Sequence, residues 1–367
     1  MLRAPTILNH AISTAKTLHL LPEAYLYGMA YTYASSQLRP AFLDGNWSMT
    51  GFIDFFPRAF LYKTSLGLLG LLVLAVIAIF ISKRRGPTAA RYSTSPAQFA
   101  AYNATPVVIL SSTYALAAVT SHLNIGHRHI LPVYAALYIL AGASGLIFHL
   151  RSSRFLYGLV LIVLSSIVIE SLVNRQRYLS FFNCLAGGPE NGYKHLVDSS
   201  LDWGQDLPAL AEWLLRRSSS VRQPVYLAYF GTGSPRYYGI DAISLPHADG
   251  TLLRGGTYCI SATTLQQVYS RAMGKWCIGY EQVYQRLRTH TYATAQENNA
   301  AIAQPAILED LRFARLCAAL RQRVPLTTIN GSILIYQLSD ETVQQAVDGS
   351  PPELDNMQVA GLDYVRH

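Results

Sequence analysis

Residues 64–82 read TSLGLLGLLVLAVIAIFIS, nineteen positions without a charge. Crossing about 30 Å of hydrocarbon at 1.5 Å per residue takes roughly 20 apolar residues, so this stretch predicts a membrane-spanning helix. Three downstream segments repeat the pattern. Asn103–Ser121 is weaker, being interrupted by Pro106 and several Ser and Thr residues. Ile130–Phe148 carries Pro132 in its first turn, where a missing N–H costs little. Phe155–Val173 is apolar apart from Glu170 near its end. Together they predict an α-helical membrane bundle of about four transmembrane helices over residues 64–173. An outer loop (1–63) precedes it, and a separate extracytoplasmic domain of α/β or α+β type (174–367) follows.

Composition agrees with that division. Charged residues make up 14% of the 367-residue chain, against about 25% in an ordinary soluble domain. Hydrophobic residues reach 51%, and the mean hydropathy is +0.20. So much apolar surface excludes a disordered chain. The net charge of +8 lies wholly in the apolar half, where residues 1–173 hold 12 Lys and Arg against 4 Asp and Glu. Residues 174–367 balance at 17 and 17. A basic apolar half with a neutral polar half fits a membrane anchor with a solvated tail, not a nucleic-acid-binding stripe.

Loop charge sets the expected orientation. Lys83, Arg84, Arg85 and Arg91 follow the first span, and Arg151 and Arg154 join the third to the fourth. By the positive-inside rule these loops face the cytoplasm of an inner, multi-pass membrane protein. Residues 1–63, the turn His122–His129 and the tail then face outward. Ile7–Tyr33 is mildly amphipathic and rich in Tyr, as suits a helix lying in the lipid interface. Met1–Leu21 holds neither a compact apolar core nor a cleavage site, so something upstream has to export the outer segment. The expectation is an N-terminal half supplied by a longer or separate chain.

Two polar clusters meet the outer surface. Phe56–Lys63 enters the first span, and His122–His129 (HLNIGHRH) links the second to the third. Arginine offers a planar fork of donors to phosphate oxygens, and lysine a compact point charge. The helix N-terminus after Arg128 and His129 also favours an anion. Lys63, His127, Arg128 and His129 are therefore candidates for a lipid-phosphate headgroup. Snorkelling of long cationic side chains from helix ends is the alternative.

In the tail, Asp206 is placed to cap a helix over Leu207–Arg217, and Leu308–Arg323 forms an amphipathic helix. Pro224–Phe230, Thr257–Ala262 and Ser332–Leu338 predict strands. Thr289–Gln304 is expected to be a loop, and the residues from Ser350 onward a frayed end. Asp198, Asp202 and Asp206 recur every fourth position, as three carboxylates for a hard cation would. Gly204 interrupts the helix that would align them, so no cofactor is expected and a divalent metal stays an alternative. Asp202, Trp203 and Gln205 better suit a sugar, because aromatic faces stack on sugar rings while carboxylates and amides fix hydroxyls. A structural turn packed on the membrane half is the competing account. Cys184, Cys259, Cys277 and Cys317 contain no CxxC spacing; buried free thiols are expected, with a Cys259–Cys277 disulfide as the alternative.

Several stretches carry a resemblance. LPEAYLYG (21–28), Phe56–Lys63, HLNIGHRHILPVYAALYILAG (122–142), FFNCLAGGPENGYKHLVDSSLDWGQDL (181–207) and PVYLAYFGTGSPRYYGI (224–240) together resemble the C-terminal part of bacterial membrane glycosyltransferases. These are the family-39, protein-mannosyltransferase-like group with the GT-C fold. The resemblance implies transfer of a sugar from a polyprenyl-phosphate donor at the outer membrane face. It places Lys63, His127, Arg128 and His129 on the donor side. The family's catalytic carboxylate lies in its first outer loop beside a second acid. The adjacent acid pairs here are Glu309-Asp310 and Asp340-Glu341, far down the tail, and Asp44 and Asp54 match no such motif. No catalytic base is carried over. Two other functions compete: a non-catalytic, membrane-anchored envelope protein presenting a carbohydrate-binding domain, and a transporter, disfavoured by the near absence of ionisable residues at mid-membrane.

Overall fold

The computed structural model describes residues 7–37, 39–84, 96–149, 154–217, 223–247, 252–294 and 303–351. The chain is mostly helical with a small sheet. Its N-terminal part runs α1 (Ile7–Thr17), α2 (Glu23–Gln37), β1 (Ala41–Leu43), β2 (Asn46–Ser48) and α3 (Phe55–Lys63). The apolar helices follow as α4 (Leu66–Arg84), α5 (Pro96–Val119), α6 (Leu131–Gly142), α7 (Leu146–His149) and α8 (Arg154–Val173). The tail continues through α9 (Leu207–Arg216), β3 (Val225–Ala228), β4 (Ile243–Ser244), β5 (Gly256–Ser261), α10 (Ala262–Leu265) and α11 (Ile278–Thr294). It closes with α12 (Ala303–Arg321), β6 (Thr327–Ile329), β7 (Ile333–Leu338) and α13 (Asp340–Asp348).

The expected four spans become two or three. Among the described residues, His127–Phe148 and Arg154–Val173 are long and apolar enough to cross a membrane by themselves. The first of these absorbs the His-Arg-His turn, which winds as a 3-10 turn (His127–Ile130) straight into α6. Leu66–Ile81 of α4 qualifies as a span together with α3, from which it bends by 104°. Thr64 makes the break, with extended dihedrals (φ −89, ψ 135) after the last residue of α3. Ala104–Val119 is a shorter apolar stretch within α5. Arg85, Arg91 and Arg151, on which the expected orientation leaned, lie outside the described residues.

α4 is the centre of the apolar bundle. Leu68, Leu71, Leu74 and Ala78 pack with Ala141, Ile147 and Val160. A Cβ at Gly67 would sit 2.2 Å from Ile167 Cγ1 and 2.9 Å from Val163 O, so only glycine lets α4 and α8 approach this closely. The outward faces remain apolar: Val73, Val76, Phe80, Ile162, Ile169 and Leu172 are all exposed. Apolar residues on both the inner and outer faces suit a lipid surround, not water. In α2 and the turn before it, Leu20, Leu21, Tyr25, Tyr27 and Tyr31 are exposed as well.

The tail builds a five-stranded mixed sheet in the order β4-β3-β5-β7-β6. β3 pairs in parallel with β4 and β5, and β7 pairs antiparallel with β5 and β6. Alternate residues face opposite ways. Leu227, Cys259 and Ile335 turn to one side, against Leu207 and Leu210 of α9. Tyr226, Tyr258, Ile260 and Tyr336 turn to the other, into the main core with α10, α11 and α12. The three longer predicted strands are present, each within two residues of the expected bounds. Half of the expected loop 289–304 differs: α11 continues to Thr294, because Tyr280 and Tyr284 anchor it in the core. Residues 295–302 and 352–367, the latter most of the expected frayed end, lie outside the described residues.

The main core is not confined to the tail. Phe42, Leu43, Phe55, Phe56 and Ala59 belong to the same buried cluster as Leu196, Tyr258 and Leu316. Trp47 donates to Gln266 O at 2.6 Å and lies under the Arg321 guanidinium at 5.5 Å. All four cysteines are free; Cys184 is exposed and the other three are buried.

Candidate functional site

The candidate residues gather at the seam between the apolar helices and the sheet. Lys63 ends α3. Its ammonium donates to Leu179 O and Ser200 O, both at 2.7 Å, and sits 4.5 Å from the centre of the Phe182 ring. No carboxylate pairs with it among the described residues. Asn183 fixes the end of α3 by donating from Nδ2 to Leu61 O (2.6 Å) and Thr64 O (2.8 Å), two carbonyls the helix leaves open.

The 3-10 turn His127–Ile130 lies against the segment 198–203. The His127 amide donates to Ser200 Oγ at 3.1 Å. A Cβ at Gly126 would stand 2.6 Å from Ser199 Cβ, so this close approach requires glycine. His127 Nε2 is 2.7 Å from Tyr134 Oη, which is 2.5 Å from Thr64 Oγ1. His129 places its ring against Phe56, 6.4 Å between centroids, and its buried Nε2 has no hydrogen-bond partner. Arg128 is exposed. Its guanidinium lies over the ring of Trp203 at 4.8 Å. Two groups of candidates from separate parts of the sequence therefore meet at one place.

Within DWGQD the three candidates have different surroundings. Trp203 is 53% exposed and donates from Nε1 to Ser199 O at 3.3 Å. Gln205 is occupied locally: Oε1 accepts from the Trp203 amide (2.8 Å), and Nε2 donates to Asp206 Oδ2 (2.8 Å) and Leu201 O (3.3 Å). Asp202 is 1% exposed. Its Oδ1 accepts from the Gly204 amide at 3.0 Å, whereas Oδ2 has no partner in hydrogen-bonding geometry. Burial pushes its carboxyl up to about 7, the Gly204 N–H and Ser261 hydroxyl oppose the shift, and Asp206 and Asp198 add to it.

Asp206 stands at the N-cap of α9 as expected, but its side chain does not cap. It accepts instead from Ser332 Oγ (2.5 Å), Asn330 Nδ2 (2.8 Å) and Gln205. Asp198 Oδ1 accepts from Ser199 Oγ at 3.2 Å, and Tyr269 donates its hydroxyl to Oδ2. The three aspartates thus do not converge. Among the described residues no group of three or more His, Cys, Asp or Glu is arranged to hold a metal ion.

This stretch lies at the carboxyl ends of the parallel strands β3 and β5, where open sheets commonly bind ligands. Tyr229, just past β3, donates to Gly204 O at 2.6 Å. Phe230 donates its amide to Ser261 Oγ at the end of β5 (3.1 Å) and stacks on Tyr269, 6.0 Å between centroids and 12° from parallel.

One cluster escaped sequence reasoning. Asp44 accepts from Arg58 Nη1 (2.7 Å) and Tyr62 Oη (3.1 Å) and lies 2.6 Å from His195 Nδ1. Its amide also donates to His195 O at 3.0 Å. Asp44 and Gly45, with φ of +48 and +76, form the two-residue turn between β1 and β2. The signal was present as an Asp-Gly pair, the usual mark of a tight hairpin. Compared with known proteins, the chain matches no family model, no curated protein and no solved structure.

Proposed function

We propose that the chain carries the donor-binding portion of an integral-membrane glycosyltransferase that uses a polyprenyl-phosphate-linked sugar. The observation that carries the proposal is Arg128 laid on Trp203 at the seam between apolar helices and sheet. A lipid-linked sugar phosphate needs three things in one place: an apolar surface for the chain, a cation for the phosphate and an aromatic face for the sugar. The helices Leu131–Gly142 and Arg154–Val173, Arg128 and Trp203 offer these in that order. Lys63, without a carboxylate, and His129, with its unpartnered Nε2, add donors beside the turn. The expected setting is a cytoplasmic membrane with the tail outside, where such donors present their sugars.

A second function, a non-catalytic envelope protein that presents a carbohydrate-binding domain, is favoured by one observation. Asp44 and Asp54, the two aspartates of the N-terminal segment, are both held by Arg58 at 2.7 Å, which leaves neither free to act as a base.

The test is binding of a short-chain polyprenyl phosphate to the purified full chain in detergent. Hydrogen bonds to charged groups contribute about 1.5–3 kcal/mol, so Arg128→Ala is expected to weaken binding roughly tenfold to a hundredfold. Arg128→Lys keeps the charge but loses the fork and the stacking plane, and recovers only part. Equal affinities for wild type, Lys and Ala variants of unchanged melting temperature would remove the headgroup site.

A further inference from the structure

We infer that the carboxyl ends of β3 and β5 form a saccharide-binding crevice, with Asp202 as the hydroxyl-reading floor and Trp203 and the Phe230–Tyr269 pair as its aromatic walls. This deepens the donor-site proposal, and rests on it for placing the sugar beside Arg128.

The chemistry of the ligand follows from what each group has left to offer. Asp206 is saturated by Ser332, Asn330 and Gln205, and Asp198 is engaged by Tyr269 and Ser199. Asp202 alone keeps a spare acceptor, on a side chain almost wholly removed from water. A buried oxygen left unpaired costs free energy that a ligand hydroxyl would recover. Asp202 lies beside Ser261 and Tyr229, which puts it under the strand ends. Trp203 and Tyr269 are 53% and 43% exposed, large aromatic surfaces open to solvent.

Asp202, the one carboxylate of the segment with a spare oxygen, offers no cation to an anion. A metal cation is disfavoured because only one of the three aspartates has a free oxygen. The ligand that fits is uncharged, rich in hydroxyls and flat on its C–H faces, which describes a sugar ring. The sequence-based trio of Asp202, Trp203 and Gln205 is thereby re-centred: Gln205 holds the turn in shape, and Tyr269 with Phe230 takes its place against the ligand.

The experiment uses the full chain in a detergent without a sugar headgroup. The probes are the methyl glycosides of mannose, glucose, galactose and N-acetylglucosamine, followed by saturation-transfer NMR and the fluorescence of Trp203. At least one glycoside is expected to bind. Asp202→Asn, which keeps the shape but replaces the free acceptor with a donor, should weaken it about tenfold. Tyr269→Ala should weaken it similarly, and Tyr269→Phe should retain most of the affinity because the ring stays. No binding of any glycoside to folded wild-type protein, or equal binding by wild type and Asp202→Asn, would overturn the crevice. Polyprenyl-phosphate binding without glycoside binding overturns the crevice alone; glycoside binding without polyprenyl-phosphate binding overturns the donor site alone.

Discussion

Asp202 and Asp206 sit four positions apart in one short stretch, yet their environments are opposite. Asp206 is surrounded by donors, while Asp202 is buried with one oxygen unpaired. A carboxyl whose folded pKa is raised, here from 3.8 to about 7, binds more protons in the native state than in the unfolded one. Its contribution to stability is therefore complete below about pH 4 and is lost as pH rises towards 7, with no further change above. Asp202→Asn removes this dependence. The variant should exceed wild type in stability at pH 8 by up to about 4 kcal/mol, at roughly 1.4 kcal/mol per pH unit, and the gap should close at pH 4. Denaturant unfolding of both proteins at the two pH values measures it. Equal pH dependence would mean that Asp202 stays ionised in the fold. The residues of this seam were legible in the sequence as candidates: Arg128 as a cation, Trp203 as an aromatic face and Asp202 as an acceptor. Their contact was not, because nothing along the chain says that the turn before α6 lies on the segment before α9.

Elements with a strong period were read well, and those without one were missed. β3, β5 and β7 declare themselves through runs of Val, Ile, Leu and Tyr buried on both faces. β1 and β2 are three residues each, too short to show alternation. α11 hides because its buried positions include Tyr280 and Tyr284, whose hydroxyls make the segment look polar. The bend between α3 and α4 is also absent from an apolar count, since it depends on Asn183 from far along the chain. That side chain donates to Leu61 O and Thr64 O and accepts from the Leu185 and Ala186 amides. Asn183→Ala leaves buried carbonyls without donors, and should cost roughly 3 kcal/mol. Melting of the purified variant measures the loss. A shift within experimental error would mean that the bend holds without the Asn183 clamp.

At the scale of the whole molecule, composition separated an apolar half from a polar one but could not show that the two share a core. Residues 42–59 pack into the tail, and Trp47 reaches Gln266. The natural expectation of a self-contained tail therefore changes. A fragment starting at Arg175 lacks Phe42, Leu43, Phe55 and Phe56, each a buried apolar side chain that contributes about 1.5–3 kcal/mol. It should melt without a cooperative transition. Joining residues 39–63 to it through a flexible linker should restore one, as calorimetry would show. A cooperative melt of the bare fragment would make the N-terminal contribution dispensable.

The shared core also fixes an order of events during synthesis. Phe42, Phe55 and Phe56 are synthesised well before Ile333–Leu338, a strand of the same buried cluster. Until that strand is made, the aromatic residues lack part of their cover. Such sequence-distant closure is slow and leaves sticky surface open to other chains. Production of this protein should therefore depend on chaperones that shield residues 42–59 until their distant partners are made.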